Sequence, residues 1–96
     1  MRKPHRVDGN QRQITEELRQ VPGITVLVMS QLGHGAPDIC VGFAGRNYFF
    51  EIKDPTKPPS KQKLTEDEAI FFAEWQGHIK KVKSTADVLY ELGISR

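Results

Sequence analysis

From Pro37 to Asp54 the chain reads PDICVGFAGRNYFFEIKD, and this stretch decides the fold. Two β-prone runs, Asp38 to Phe43 and Asn47 to Lys53, flank Ala44, Gly45 and Arg46, so the spacing predicts a β-hairpin. A two-residue turn at Ala44 and Gly45 sets Phe43 opposite Arg46. Counting outward, Asp38 then stands directly across from Glu51. A turn at Gly45 and Arg46 instead puts Asp38 across from Lys53, with Glu51 still on that face because strand side chains alternate. Both registers gather Asp38, Glu51 and Lys53 on one face of the sheet.

Upstream, DGNQRQITEELRQVPG (Asp8 to Gly23) has capping side chains at Asp8 and Asn10, an apolar stripe at Ile14, Leu18 and Val21, and a Pro-Gly stop. It predicts a short amphipathic helix. Ile24 to Ser30 (ITVLVMS) is nearly all apolar and β-branched, the pattern of a strand buried on both faces. Gln31 to Ala36 (QLGHGA) is a glycine-rich loop.

Downstream, Asp54 to Lys63 (DPTKPPSKQK) carries three prolines and three lysines and reads as neither helix nor central strand. Thr65 opens TEDE, a capping-box signature, and a helix through Trp75 that stops at Gly77. Phe71, Phe72 and Trp75 form its core-facing stripe, and Cys40 reads as a small buried strand residue. Ile79 to Val82 predicts a short strand, and Ser84 caps a last helix carrying Ala86, Val88, Leu89 and Leu92 before Gly93. The predicted order is α, β, β, β, α, β, α.

Ninety-six residues make one small domain, residues 8–96, behind a basic tail at residues 1–7. With 38% apolar residues the core is modest, so a partner subunit or a bound ion is expected to add stability, and a homodimer is expected on that ground. No apolar run is long enough for a membrane span or a secretory signal, and the single cysteine forms no internal disulfide. An intracellular setting fits. Net charge is only +2, but it is segregated. Basic residues gather at Arg2, Lys3, His5 and Arg6, at Lys53, Lys57, Lys61 and Lys63, and at His78, Lys80, Lys81 and Lys83. Such sorting describes either a basic face for a polyanion or plain solvated charge.

Two carboxylates on one short hairpin face repel each other unless a cation neutralises them. A hard divalent ion, Mg²⁺ or Mn²⁺, takes oxygen ligands and completes its shell with waters and phosphate oxygens. A water on such an ion is acidified for attack on phosphorus, and Lys53 is placed to orient it or to stabilise charge on the phosphate. The competing reading is an ion pair of Asp38 or Glu51 with Lys53 and no metal.

GAPDICVG (Gly35 to Gly42) followed by YFFEIKD (Tyr48 to Asp54) resembles the PD-(D/E)XK nuclease signature. The GRNYFFEIKD stretch, the Pro- and Lys-rich loop, KLT opening a helix, and the late Gly-His-Ile-Lys-Lys-Val strand further resemble the stand-alone VRR-NUC proteins of phages and prophages, over about Asp8 to Gly93. The resemblance implies an α/β fold with a restriction-endonuclease-like αβββαβ(α) core, a small mixed sheet flanked by helices. It implies Asp38 and Glu51 as metal-binding carboxylates, the Ile52 carbonyl as a further ligand, and Lys53 as the catalytic lysine. The family's acid on the first helix falls nearest Asn10, which also reads as a helix cap with Gln13 three residues on, and Glu17 is the substitute candidate. Glu16 points to solvent. The family's glutamine after the hairpin corresponds to Glu68, which equally completes the Thr65 capping box.

Candidate DNA contacts are His34 beside Asp38, Arg46 at the hairpin tip, and Lys57, Lys61, Gln62 and Lys63 on the loop leaving the active strand. The resemblance implies a homodimeric, metal-dependent endonuclease of branched DNA, similar to Holliday-junction resolvases. So small a domain has little surface for reading base sequence, so it is expected to recognise DNA shape. A flap, nick or single-strand nuclease is the alternative, and a non-catalytic DNA-binding module with a decayed site is a more distant one.

Overall fold

The computed structural model describes residues 9–94, so the basic tail predicted at residues 1–7 lies outside the described residues. The elements are α1 (Gln11–Arg19), β1 (Thr25–Val28), β2 (Ile39–Phe43), β3 (Arg46–Ile52), α2 (Pro59–Gln62), α3 (Glu66–Glu74), β4 (Ile79–Val82) and α4 (Thr85–Leu92). They form a mixed α/β structure around one four-stranded sheet, ordered β1-β2-β3-β4. β1, β2 and β3 are antiparallel neighbours, whereas β4 joins β3 in parallel. A parallel partner cannot be reached by a tight turn. The crossover from Lys53 to His78 therefore carries α2 and α3.

Of the two hairpin registers the first is the one formed, with Phe43 opposite Arg46 and Ile39 opposite Phe50. Ala44 (φ 51°) and Gly45 (φ 77°) are both left-handed, as a two-residue turn matched to strand twist requires. One face of the sheet carries Ile39, Val41, Phe50, Ile52 and Val82, which pack with Ile14 and Leu18 of α1 and Val88, Leu89 and Leu92 of α4 as the core. By alternation the other face carries Asp38, Cys40, Phe49, Glu51, Lys53 and Lys81. Above it lies α3, whose Phe71 and Trp75 pack on Phe49 with ring centroids 6.5 and 4.7 Å away.

Four expectations are corrected. β1 is an edge strand and not a doubly buried one, and Leu27 is 63% exposed. Its composition is that of an interior strand, but nothing local specifies a second neighbour. Trp75 is 43% exposed and Phe71 and Phe72 are only half-buried, because nine-residue α3 covers part of its sheet face and, among the described residues, no further layer lies over it. Cys40 on that same open face is half-buried for the same reason. Pro59–Gln62 forms a short helix inside the loop predicted to lack one, since proline is compatible with a helix's first turn, where its missing N–H is not needed.

Candidate active site

Asp38 immediately precedes β2 and Glu51 lies near the end of β3, across the hairpin from each other by the observed register. The backbone ladder continues to this point, since the Asp38 N–H donates to the Phe50 carbonyl at 3.1 Å. Asp38 Oδ2 accepts from the Ile52 N–H at 2.7 Å, which holds the carboxylate against β3. One residue on, the Lys53 N–H donates to the Val82 carbonyl of β4 at 2.9 Å, so Lys53 is fixed by strand pairing and faces the same way as Glu51. Asp38, Glu51, Lys53 and Glu68 are all buried.

Lys53 Nζ meets Glu68 Oε1 at 2.8 Å and Glu51 Oε2 at 3.4 Å. Glu68 Oε1 also accepts from the Thr65 N–H at 2.9 Å, and Thr65 Oγ1 accepts from the Glu68 N–H at 3.3 Å. The two roles weighed for Glu68, helix cap and site residue, are thus played by one carboxylate: the capping box that starts α3 delivers Glu68 onto Lys53.

The charge balance is uneven. Burial, with the Asp38 carboxylate and Glu68 beside it, outweighs the pull of Lys53 and pushes the Glu51 carboxyl up to about 10. Its neutral form is therefore favoured at neutral pH. Burial acts against charge on Glu68 as well, but hydrogen bonds from Glu51, Lys53 and the Thr65 N–H prevail and hold it below the usual range. Burial likewise opposes the Lys53 ammonium, yet its bond to Glu68 and the carboxylate charges raise it. Lys53 and Glu68 form the ion pair, and Glu51 sits beside them as a neutral carboxyl. Glu51 Oε1 is buried with no hydrogen-bond partner.

Among the described residues no group of three or more His, Cys, Asp or Glu side chains gathers to hold a metal ion unaided. The donors present are of the type that a hard divalent ion takes. Asp38, Glu51 with its orphaned oxygen, and the Ile52 carbonyl are all oxygen donors, and such an ion keeps waters in its remaining positions.

The other predicted residues separate by position. Asn10 makes no side-chain cap. Its Nδ2 donates to the Lys53 carbonyl at 3.2 Å and the Lys83 carbonyl at 3.0 Å, tying the start of α1 to the ends of β3 and β4. Glu17 is away from the site: it accepts from Thr85 Oγ1 on α4 and from Gln13 on its own helix. Glu16 faces solvent as expected, paired with Arg12. Arg46 begins β3 and Glu51 lies five residues along it, so the hairpin tip is roughly 17 Å from the carboxylates by strand rise. Gln62 is occupied as a loop staple, its Nε2 donating to the Pro55 and Lys57 carbonyls at 3.3 and 2.7 Å. Lys57, Lys61 and Lys63 lie on or beside α2, and His34 is exposed in the loop before Asp38.

Lys81 is a further residue of this sheet face. It stands in register with Glu51 on β4 and so shares its face. No local pattern shows this, because the register of a parallel strand reached by a long crossover is set by tertiary packing. Comparison with family models, curated proteins and solved structures returns no match.

Proposed function

We propose that this chain is a metal-dependent endonuclease of the PD-(D/E)XK type that hydrolyses phosphodiester bonds in branched DNA, with a VRR-NUC-like, restriction-endonuclease-like core. The observation that carries the reading is the buried set Asp38, Glu51 and Lys53 on one sheet face, with an unpartnered Glu51 oxygen and, once Glu68 has paired with Lys53, two carboxyls that the lysine does not balance. A purely structural ion pair has no use for the extra acid, which costs stability when buried. In this reading Asp38, Glu51 and the Ile52 carbonyl hold Mg²⁺ or Mn²⁺, which when bound supplies Lewis acidity toward water and phosphate. Lys53, steadied by Glu68, orients the attacking water and stabilises charge on the phosphate. Asn10 holds the backbone of the active strand, and His34, Lys57, Lys61 and Lys63 border the path of the substrate. We also propose that the protein acts as a homodimer, supported by the apolar edge of β1.

Cleavage of labelled four-way junction, flap, duplex and single-stranded DNA with Mg²⁺, Mn²⁺ or EDTA tests the reading. Symmetric nicks near the junction are expected, lost in Asp38→Ala and in Lys53→Ala while both variants remain folded. Preference for flaps or single strands would redirect the substrate. Full activity in either variant would remove the assigned roles. A non-catalytic module, favoured by the loss of an acid at Asn10, would show no Mg²⁺- or Mn²⁺-dependent rise in melting temperature and no cutting.

A further inference from the structure

We infer that Lys81 is a phosphate-holding residue of the site, and that β4 is the wall along which a nucleic-acid backbone reaches the carboxylates. The inference rests on the nuclease reading and assigns the side from which the polyanion enters. Asp38, Glu51 and Glu68 make the site acidic, and Lys53 is already engaged by Glu68 and Glu51. A phosphate approaching these groups needs another cation on the same face. Lys81 supplies it: it is the β4 residue paired in register with Glu51, and strands so paired lie about 4.8 Å apart with their side chains pointing the same way.

The two lysines of β4 show how its charge is sorted. Lys80 points to the opposite face, where Glu91 of α4 lies 3.6 Å from its ammonium. Lys81 is exposed, and among the described residues its ammonium meets the Gln62 carbonyl at 3.1 Å and no carboxylate. That bond also ties the end of α2 to β4, so Lys61 and Lys63, which flank Gln62, continue the basic strip on the α2 side.

The competing role is a staple that merely fastens α2. Binding of a labelled four-way DNA junction, measured without divalent metal across a series of salt concentrations, separates the two. In K81Q, which keeps a hydrogen-bond donor but loses the charge, the log–log salt slope should shrink by about 0.9, one phosphate contact, with several-fold weaker binding and an unchanged melting temperature. K81R should restore the slope, and K80Q should leave it at the wild-type value. An unchanged slope in K81Q overturns the inference while leaving the nuclease reading intact. Normal binding by wild type with no cleavage under any metal removes the nuclease reading, and the slopes still decide Lys81. Wild type that binds no junction removes both.

Discussion

Glu51 is the residue at which stability and proposed function oppose each other. Its carboxyl is raised from an ordinary 4.5 to about 10 by burial and by neighbouring acids, so the folded chain retains a proton that the unfolded chain releases. Below pH 4.5 both states hold the proton and the group is neutral in its effect. As pH rises from there toward 10, only the unfolded state gains by ionising, so Glu51 progressively lowers stability. Glu68 has the opposite sign: its lowered carboxyl contributes stability above 4.5 that is lost as pH falls further. Glu51→Gln, close in shape and permanently neutral, should therefore melt higher than wild type without metal, by a margin that widens between pH 5 and 9. Thermal melts at those pH values with EDTA check this, and the same variant should have no cleavage activity. A margin independent of pH would mean that Glu51 is already ionised in the folded chain.

At the scale of elements, the site depends on α3 starting in one place, and the loop before β2 helps to set it. Gly33, His34 and Gly35 are successive left-handed residues with φ of 72°, 55° and 79°. A Cβ on Gly35 would lie 2.3 Å from the Asp67 carbonyl oxygen and 2.9 Å from the Glu68 nitrogen, both backbone atoms of α3. Gly35→Ala thus meets an unfavourable backbone conformation, costing about 1 kcal/mol or more, and a clash that only movement of α3 relieves. The melting temperature should fall by several degrees. Cleavage should drop by more than the loss of folded protein explains, because Glu68 moves off Lys53; activity tracking the folded fraction alone would rule out that coupling. The hairpin, the capping box and the Ser84 cap were legible in sequence because each is fixed within a few residues by strand period, turn chemistry or a side chain meeting its own helix. Asn10 was not, since it trades the predicted cap for carbonyls at Lys53 and Lys83 on strands far along the chain. Lys81 was hidden for the same physical reason.

Over the whole molecule, the two sheet edges are unlike. β4 carries Lys80 and Lys81, the charges that discourage edge pairing, whereas β1 (TVLV) carries none. The Met29 N–H donates to the Asp38 carbonyl at 2.7 Å, so by alternation Leu27 bonds to β2 while the backbone groups of Val26 and Val28 point outward. Arg19 Nη2 occupies the Val26 carbonyl at 3.1 Å. Beside this edge Leu27 and Leu32 are 63% and 62% exposed. In the homodimer proposed above, β1 would pair with its own copy, since antiparallel pairing about a two-fold axis sets the strand on itself with no like charges opposed. Wild type should therefore sediment as a dimer. Leu27→Lys should sediment as a monomer with little change in the protomer's circular dichroism, because the side chain is not part of the core. A two-fold dimer offers a four-way junction two related sites, so the monomeric variant should still nick one strand in a metal-dependent way but lose paired, symmetric incision. A monomeric wild type that makes symmetric cuts, or a Leu27→Lys dimer, would place the two-fold elsewhere or remove it.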